Sequence, residues 1–411
     1  MPHKVLMIAY HFPPVAASSG FLRTLKFAKY LPGYGVEPMV LTVKPNAYEQ
    51  VNAKNYQLLD DLDKVKVYRC TAKDGARDFA WRGKYLRMLA SPDRWASWIP
   101  FGVFKGLRLI KRTKAEVIWV TYPIVSALVI GYWLKKITGL PLICDLRDPI
   151  WEEETYQDTR RFKWLKKFEA RLLTLADRIV FTSPGTIEKY RGRYPSLIAG
   201  KSMLITNGFD SDNFPVITGV PKRNKKKVFL HSGIIPVYER NPENFFKAIS
   251  NLKEQGVLRA DLHEFRLRAC GFESLYRQRV TELGISDLVS FPAPISYEDA
   301  LLEMLNADAL MVFQDKTCNW QIPAKVFEYM YAQRPVLGWV DPDSDTAKIL
   351  EDCNIGDFIA PLDDVIRIEE TLSRFISIGD WQSKCKGYKQ FDRKVLTKEL
   401  ADLVTALATS N

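Results

Sequence analysis

The chain has 411 residues, and its 59 Lys and Arg against 48 Asp and Glu give a formal net charge of +11. Because single domains usually hold about 100–200 residues, this length indicates two domains or one unusually large domain. A hydrophobic content of 47% and an aromatic content of 12% exclude intrinsically disordered, collagen-like and low-complexity proteins. Only the charge suggests nucleic-acid binding, since no helix-turn-helix, zinc or RNA-recognition pattern accompanies it.

The first sixty residues alternate between apolar runs and an amphipathic helix. The pattern predicts a strand over Val5–Tyr10, a helix that begins at Phe21, and a second strand over 38–43. This alternation is typical of a parallel sheet with crossover helices.

The apolar segment over residues 117–133 is a candidate for a membrane-spanning helix. It is shorter than the ~20 residues that a span needs, and Pro123 and Gly131 interrupt it. We predict instead a buried strand, Val117–Val120, followed by a helix from about Ile124.

The alternation continues along the chain and is broken by one basic segment. Five of the seven residues in 221–227 are Lys or Arg, which predicts a solvated linker. Further strands are predicted at 142–144, 179–181, 228–231, 265–270, 288–291, 309–313 and 336–340.

The pattern as a whole predicts two doubly wound α/β domains, at 1–215 and 222–380. A helical tail at 381–411 is expected to pack back on the domains. In such a protein the expected place for a ligand is the cleft between the domains, at the carboxyl ends of the strands.

The cysteines and the N-terminus bear on location. The six cysteines form neither a CxxC pair nor a metal-ligand spacing, which predicts no disulfide framework and no zinc site. The N-terminal residues lack an apolar segment followed by small residues, so no export signal is recognised. We therefore expect a cytoplasmic protein.

The segment 321–336, QIPAKVFEYMYAQRPV, carries the strongest sign of a ligand site. Pro323 suits the start of a helix, and Pro335 ends the helix before the next strand. Lys325 and Glu328 lie three residues apart and therefore share one face near the N-terminal end. Exposed N–H groups and the helix dipole at that end suit a diphosphate, and a carboxylate suits the hydroxyls of a ribose. An ordinary surface Lys/Glu pair is the alternative interpretation.

The segment IPAKVFEYMYAQRPVL is similar to the donor-binding helix of retaining GT-B glycosyltransferases of the family-four type. The resemblance runs from residue 3 to residue 400, through AYHFPPVAASSG, ICDLRDPIW, FTSPGTIEKY, NGFD and HSGIIPVYERNPENFFKAI in the family's order. It implies the GT-B fold, with two Rossmann-like domains facing across a cleft. The first domain would bind the acceptor and the second a nucleotide-sugar donor.

The resemblance also implies roles for residues of the second domain. Glu328 would bind the ribose, Lys325 with the helix N-terminus would hold the diphosphate, and Arg240 would supply a second cation. Lys325 and Arg240 would act in catalysis by stabilising the leaving diphosphate. The other predicted donor contacts there are Gly233, Gln321 and Ile322.

Two positions depart from the family's pattern. Ile234 follows Gly233 where many members carry an arginine, and Trp320 stands eight positions before Glu328 where many carry a glutamate. The acidic residue that contacts the sugar is therefore missing or replaced. The candidates for its replacement are Asp315, Gln321 and Asn319.

In the first domain, small residues open the first helix. Ser18, Ser19 and Gly20 allow the backbone to approach a phosphate or the transferring sugar, so Ser19 and Gly20 are predicted donor contacts. The resemblance places Arg23 on the acceptor side.

A polar cluster follows the predicted strand at 142–144. Asp145, Arg147 and Asp148 should emerge at the carboxyl end of that strand and face the cleft. We predict that Asp145 orients acceptor or sugar hydroxyls and that Arg147 and Asp148 lie on the acceptor side. A turn at Asp148 and an ion pair of Arg147 are the alternative.

The resemblance implies transfer of a sugar with retention, in which a leaving-group oxygen takes the proton of the acceptor. No metal and no cofactor is expected; a nucleoside-diphosphate sugar is the substrate, with UDP and GDP both open. The predicted function is transfer to a lipid-linked or polysaccharide acceptor in cell-surface glycan biosynthesis. The alternative is a non-catalytic nucleotide-sugar-binding subunit of a glycan assembly complex, which the two departures would permit.

Residues 81–114 suggest contact with a membrane. This segment holds nine Lys and Arg against one acid, with six aromatic residues interleaved. Basic residues with aromatic anchors suit an anionic leaflet, so we expect peripheral attachment to the inner face of the cell membrane. The alternative is that the aromatic residues belong to the core and the charges to a solvated face. A second basic stretch, 160–171, lies in the same domain.

Overall fold

The alternation of apolar runs and helices produces a parallel sheet in each of two units. The computed structural model describes residues 2–16, 19–60, 62, 65–79, 91–152, 160–215, 225–379 and 385–410. The first unit consists of residues 1–206 and 393–411, and the second of residues 207–392. The chain enters the second unit ahead of the predicted boundary at 215 because the rings of Phe209 and Phe214 both contact Tyr331, which packs against the core of that unit.

In the first unit, the described residues form seven parallel strands in the order β3-β2-β1-β4-β5-β6-β7. The strands are β1 (His3–Ile8), β2 (Val36–Val43), β3 (Lys66–Cys70), β4 (Val117–Thr121), β5 (Leu142–Leu146), β6 (Arg178–Phe181) and β7 (Ser202–Leu204). Every residue of β4 and β5 is buried, because helices cover both faces of a parallel sheet. The register pairs Thr121 with Asp145 at the carboxyl ends of these two strands.

Helices connect these strands. They are α1 (Leu22–Tyr30), α2 (Trp98–Thr113), α3 (Val125–Thr138), α4 (Arg160–Leu175), α5 (Pro184–Arg193) and α6 (Pro195–Ile198). Helix α2 lies against α3 at Gly102, where a Cβ atom would stand 2.4 Å from Cδ1 of Ile130. The segment 117–133 thus forms a buried strand and part of a 14-residue helix, as predicted.

In the second unit, the described residues form six parallel strands in the order β10-β9-β8-β11-β12-β13. The strands are β8 (Lys227–Ser232), β9 (His263–Arg268), β10 (Val289–Ser290), β11 (Ala309–Phe313), β12 (Val336–Trp339) and β13 (Phe358–Ala360). The helices are α7 (Glu243–Glu254), α8 (Glu273–Glu282), α9 (Tyr297–Asn306), α10 (Ala324–Ala332), α11 (Asp345–Asp352) and α12 (Val365–Ile378). The strand order reverses between β8 and β11, which is where doubly wound sheets bind ligands.

The last helix, α13 (Arg393–Thr409), returns to the first unit. Leu396, Leu400 and Val404 pack there in the hydrophobic core with β1 and α1. Residues 385–392 stay in the second unit, so the predicted tail is divided between the two. No helix in the described ranges combines the length and the apolar character that crossing a membrane requires.

The predicted fold class, two doubly wound α/β domains, is confirmed. Of the predicted linker 221–227, residues 221–224 lie outside the described residues, and Lys227 begins β8.

Candidate functional site

The turn after β8 creates an approach for a cation in the second unit. Gly233 follows the strand with φ 107°, in the region that favours glycine. A Cβ atom at this position would stand 3.3 Å from Nζ of Lys325. The absence of a side chain thus lets the ammonium group lie against the turn, at the point where the strand order reverses.

Helix α10 supplies this lysine. Pro323 is its N-cap and makes no side-chain capping bond, so the first N–H groups of the helix receive no side-chain cap. Val326, Phe327 and Met330 are buried in the core. Lys325 and Glu328 are only partly buried and share the remaining face, as their spacing predicted.

His231, the fifth residue of β8, holds the ammonium group. Nδ1 of His231 lies 2.8 Å from the carbonyl oxygen of Met311, and Nε2 lies 2.8 Å from Nζ of Lys325. Because a carbonyl oxygen only accepts, Nδ1 must carry the ring hydrogen, which leaves Nε2 as an acceptor. Lys325 therefore donates to a neutral imidazole of fixed tautomer.

Burial and neighbouring charges lower the pKa values of both groups. Burial, followed by the positive charge of Lys325, holds the pKa of His231 well below its ordinary value. Burial, followed by the charge of Arg240, likewise lowers the pKa of Lys325, and Glu328 opposes this effect. Lys325, Arg240 and Glu328 are thus close enough to influence one another, and an added anion would raise the pKa of the lysine.

Arg240 has unused hydrogen-bonding capacity. Its Nε is buried and has no hydrogen-bond partner within the described part of the chain. Its backbone N–H donates to the carbonyl oxygen of Pro236, which closes the loop after Gly233. A buried donor without a partner indicates a place where a bound anion would be accommodated.

Glu328 is oriented by a neighbouring helix. The hydroxyl of Tyr297, the first residue of α9, donates to Oε1 of Glu328 at 2.7 Å. This bond fixes the carboxylate on the exposed face of α10, one helical turn from Lys325.

The candidate replacements for the missing glutamate lie in the loop between β11 and α10. Asp315 caps a short 3-10 helix and accepts a hydrogen bond from the N–H of Thr317, whereas Oδ1 of Asn319 is buried and lacks a hydrogen-bond partner among the described residues. The backbone carbonyl of Gln321 accepts from Gln314 and Thr346. The side chain of Ile322 is buried in the core, which leaves its backbone as the part that a ligand could reach.

In the first unit, Asp145 and Arg23 form a buried ion pair. Nη2 of Arg23 lies 2.8 Å from Oδ1 of Asp145, and both side chains are almost completely inaccessible. The hydroxyl of Thr121 donates to Oδ2 at 2.8 Å. Arg23 also donates to the carbonyl oxygens of Ile205 and Thr206, where the chain leaves this unit. All of these contacts are internal, so the predicted role of Asp145 toward a substrate stays a prediction.

Arg147 joins two of the predicted segments. Its Nη1 donates to the carbonyl oxygen of Gly20, and Ser19 and Gly20 lie in a 3-10 turn directly before α1. Asp148 follows at a partly buried position. The structure thus brings the small-residue loop and the polar cluster after β5 together, while Ser18 lies outside the described residues.

The predicted membrane segment, 81–114, is described only from residue 91, so Trp81 and Tyr85 lie outside the described residues. Trp98 is fully buried and its indole N–H donates to Sγ of Cys70, so it belongs to the core and is not a surface anchor. Phe101 and Phe104, in contrast, are 52% and 57% exposed.

Two residues of the second-unit site escaped sequence reasoning. His231 lies in the segment that carries the resemblance, but its partners are 80 and 94 residues away in the chain. Tyr297 lies in an unremarkable N-terminal turn of α9 and becomes relevant only through its bond to Glu328.

Comparisons with known proteins agree with this architecture. A solved sucrose-phosphate synthase (tll1590) from Thermosynechococcus elongatus superposes with a TM-score of 0.70 at 15% identity, covering 100% of both chains. The apo form of the lipopolysaccharide outer core galactosyltransferase WaaB gives 0.62 at 13% identity, covering 98% of this chain and 99% of that one. WaaG, a glycosyltransferase involved in lipopolysaccharide biosynthesis, gives 0.59 at 13%, covering 99% and 98%. No match is found among curated proteins.

Two doubly wound units with these structural neighbours define a protein of the GT-B fold. Residues 23–213 match the sequence model described as Glycosyltransferase Family 4. This match spans just under half of the chain and supports the resemblance to family-four glycosyltransferases. This family implies a nucleotide-sugar donor and a glycan acceptor.

Proposed function

We propose that the chain transfers a sugar, with retention, from a nucleoside-diphosphate sugar to a lipid-linked or polysaccharide acceptor in cell-surface glycan biosynthesis. The observation that carries the proposal is the placement of Lys325. Its ammonium group lies against the Gly233 turn, is held by His231, and shares a helix face with Glu328.

The donor diphosphate would bind at the N-terminal end of α10. Lys325 and Arg240 supply two positive charges there, and the helix dipole adds about half a charge. Glu328 lies three residues further along, about 4.5 Å of helix rise from Lys325, where a ribose attached to the diphosphate would be within reach. Tyr297 keeps the carboxylate in position for the ribose hydroxyls.

These groups favour departure of the nucleoside diphosphate. Negative charge grows on the leaving oxygens in the transition state, and fixed cations in a partly buried site stabilise it. A leaving-group oxygen takes the proton of the acceptor hydroxyl, so this account uses no protein nucleophile. We propose that protein cations neutralise the diphosphate without a metal ion or other cofactor, and turnover unchanged by EDTA would support this.

Two structural neighbours, WaaB and WaaG, are glycosyltransferases of lipopolysaccharide. Together with the basic α2, this supports an acceptor anchored at the inner face of the cell membrane and a peripheral location for the enzyme. The choice between UDP and GDP remains a matter for binding measurements. A thermal-shift panel of UDP, GDP, ADP and their sugar conjugates would decide it, because a bound ligand raises the unfolding midpoint.

The alternative is a non-catalytic subunit that binds a nucleotide-sugar. Ile234 in place of an arginine and Trp320 in place of a glutamate favour it, because each removes a charged group near the donor. Donor hydrolysis or sugar transfer by the isolated chain would exclude this alternative.

Substitutions on α10 test the donor site. Lys325→Ala and Glu328→Ala should each lower turnover at least ~10-fold, because each removes a charged contact to the donor. A matched control is available on α11, where Lys348 and Glu351 are exposed and are likewise three residues apart. Lys348→Ala and Glu351→Ala should leave turnover unchanged, and circular dichroism should show all four variants folded. Wild-type turnover in both α10 variants would refute the donor site.

A further inference from the structure

A groove on the edge of the first unit is lined by cations. It lies between β3 and α2, away from the polar cluster after β5, and has a volume of about 720 Å³. This volume is typical of sites that take a small molecule or a head group. Its cationic lining residues are Lys44, Arg69, Lys105, Arg108 and Arg112.

None of these five cations forms an ion pair with a carboxylate in the described ranges. Arg69 donates to the carbonyl oxygens of Val43 and Pro13, and Lys105 donates to that of Arg69. Arg112 donates to the hydroxyl of Tyr68 at 3.2 Å. The groove therefore concentrates positive charge that no described acidic side chain compensates, and such a site attracts anions.

Helix α2 places aromatic rings beside this charge. Trp98, Gly102, Gly106 and Leu109 form its buried face. The opposite face carries, at helical spacing, the exposed residues Phe101, Phe104, Arg108, Lys111 and Arg112. Exposed phenylalanine rings among basic residues are typical of a helix that lies in a membrane interface.

The rings and the cations also contact each other. The guanidinium carbon of Arg108 lies 4.2 Å from the centroid of the Phe104 ring. This arrangement positions a phosphate-binding group and an apolar ring side by side, which matches a lipid, whose phosphate is joined to an apolar body.

We propose that this groove binds the phosphate of an anionic membrane lipid, while Phe101 and Phe104 enter the apolar part of the leaflet. The inference rests on the proposed attachment to a membrane and does not depend on the transfer reaction. A phosphate compound free in solution shares the same head-group chemistry, but it would leave the two rings in water.

The test is binding of the full chain to vesicles. Vesicles of phosphatidylcholine alone are compared with vesicles that also contain phosphatidylglycerol, at low salt. The Arg108→Gln/Arg112→Gln variant should bind the anionic vesicles about 30-fold more weakly than the wild type, at about 1 kcal/mol per cation near the surface. The Lys348→Gln/Lys389→Gln variant removes the same charge from exposed positions of the second unit and should bind within about twofold of the wild type.

Two further arms separate the sources of the phosphate. Phe101→Ser/Phe104→Ser should also weaken vesicle binding. Calorimetry with inorganic phosphate should show no phosphate binding that the wild type has and the Arg108→Gln/Arg112→Gln variant has lost. Equal vesicle binding by the wild type and Arg108→Gln/Arg112→Gln would refute lipid binding in the groove but not the membrane attachment. Phosphate binding that depends on these arginines, without recovery of wild-type protein on anionic vesicles, would overturn both the lipid and the membrane attachment. Sugar transfer to a soluble acceptor, measured separately, should be unchanged in Arg108→Gln/Arg112→Gln.

Discussion

Binding of a nucleoside diphosphate to the second unit should take up a proton. In the free protein, burial and the charge of Arg240 hold the pKa of Lys325 well below its usual 10.5. A bound diphosphate supplies negative charge next to the ammonium group and therefore raises that pKa. The complex thus holds more protons than the free protein at any pH between the two values of the pKa.

The magnitude follows from Coulomb's law. One negative charge about 4 Å from the ammonium contributes roughly 4 kcal/mol at an effective dielectric constant near 20, which raises the pKa by about three. Affinity should therefore fall by up to about tenfold per pH unit as the pH rises above the free-state pKa, and should be constant below it.

Isothermal titration calorimetry measures the effect directly. UDP or GDP is titrated at several pH values, each in two buffers of different ionisation enthalpy, and the difference in heat gives the number of protons taken up. The wild type should approach one proton at the alkaline end, and Lys325→Met should bind more weakly with no uptake. Proton uptake that persists in Lys325→Met would refute the reasoning. Tight nucleotide binding by the wild type without proton uptake at any pH would refute it too.

Three further predictions concern the first unit. Asp145→Ala should lower the free energy of unfolding by about 3–5 kcal/mol in urea titrations, because it leaves the buried charge of Arg23 without its partner; a loss below about 1 kcal/mol would contradict this. Burial lowers the pKa of His11 from 6.5 to about 4 in the folded protein. Between these pH values the unfolded chain binds a proton that the folded chain does not. The free energy of unfolding of the wild type should therefore fall by up to ~3 kcal/mol as the pH falls through this range. His11→Gln should remove that pH-dependent loss, and identical profiles would count against it. Gly102→Ala should cost about 1–3 kcal/mol, because the new Cβ meets Cδ1 of Ile130, and adding Ile130→Val should recover part of the loss in thermal unfolding.

The sequence predicts those strands that are buried on both faces. Val117–Val120 and 309–313 are continuous apolar runs, and the structure places strands there. Strand β3, KVYRC, is a partly exposed edge strand with two basic residues, so it carries neither an apolar run nor a clear alternation. β7 and β13 are three residues long, too short for a periodic pattern to be recognised.

The candidate site is predicted where its chemistry lies within one element and missed where it lies between elements. Lys325 and Glu328 are neighbours on one helix, so their spacing alone places them together. The bond between Lys325 and His231 joins residues far apart in the chain, and only the order of β8 and β11 brings them together. The same holds for Asp145 and Arg23, which are 122 residues apart. The position of Asp145 directly after a strand predicts its place at the sheet edge. It does not predict that Arg23 forms an ion pair with its carboxylate.

A crystal structure of the chain grown with UDP or GDP would test the central claim most directly. The diphosphate should lie within hydrogen-bond distance of Nζ of Lys325 and of the first N–H groups of α10, with the ribose hydroxyls on Glu328. A nucleotide bound elsewhere in the second unit, with Lys325 bonded only to His231, would contradict the account.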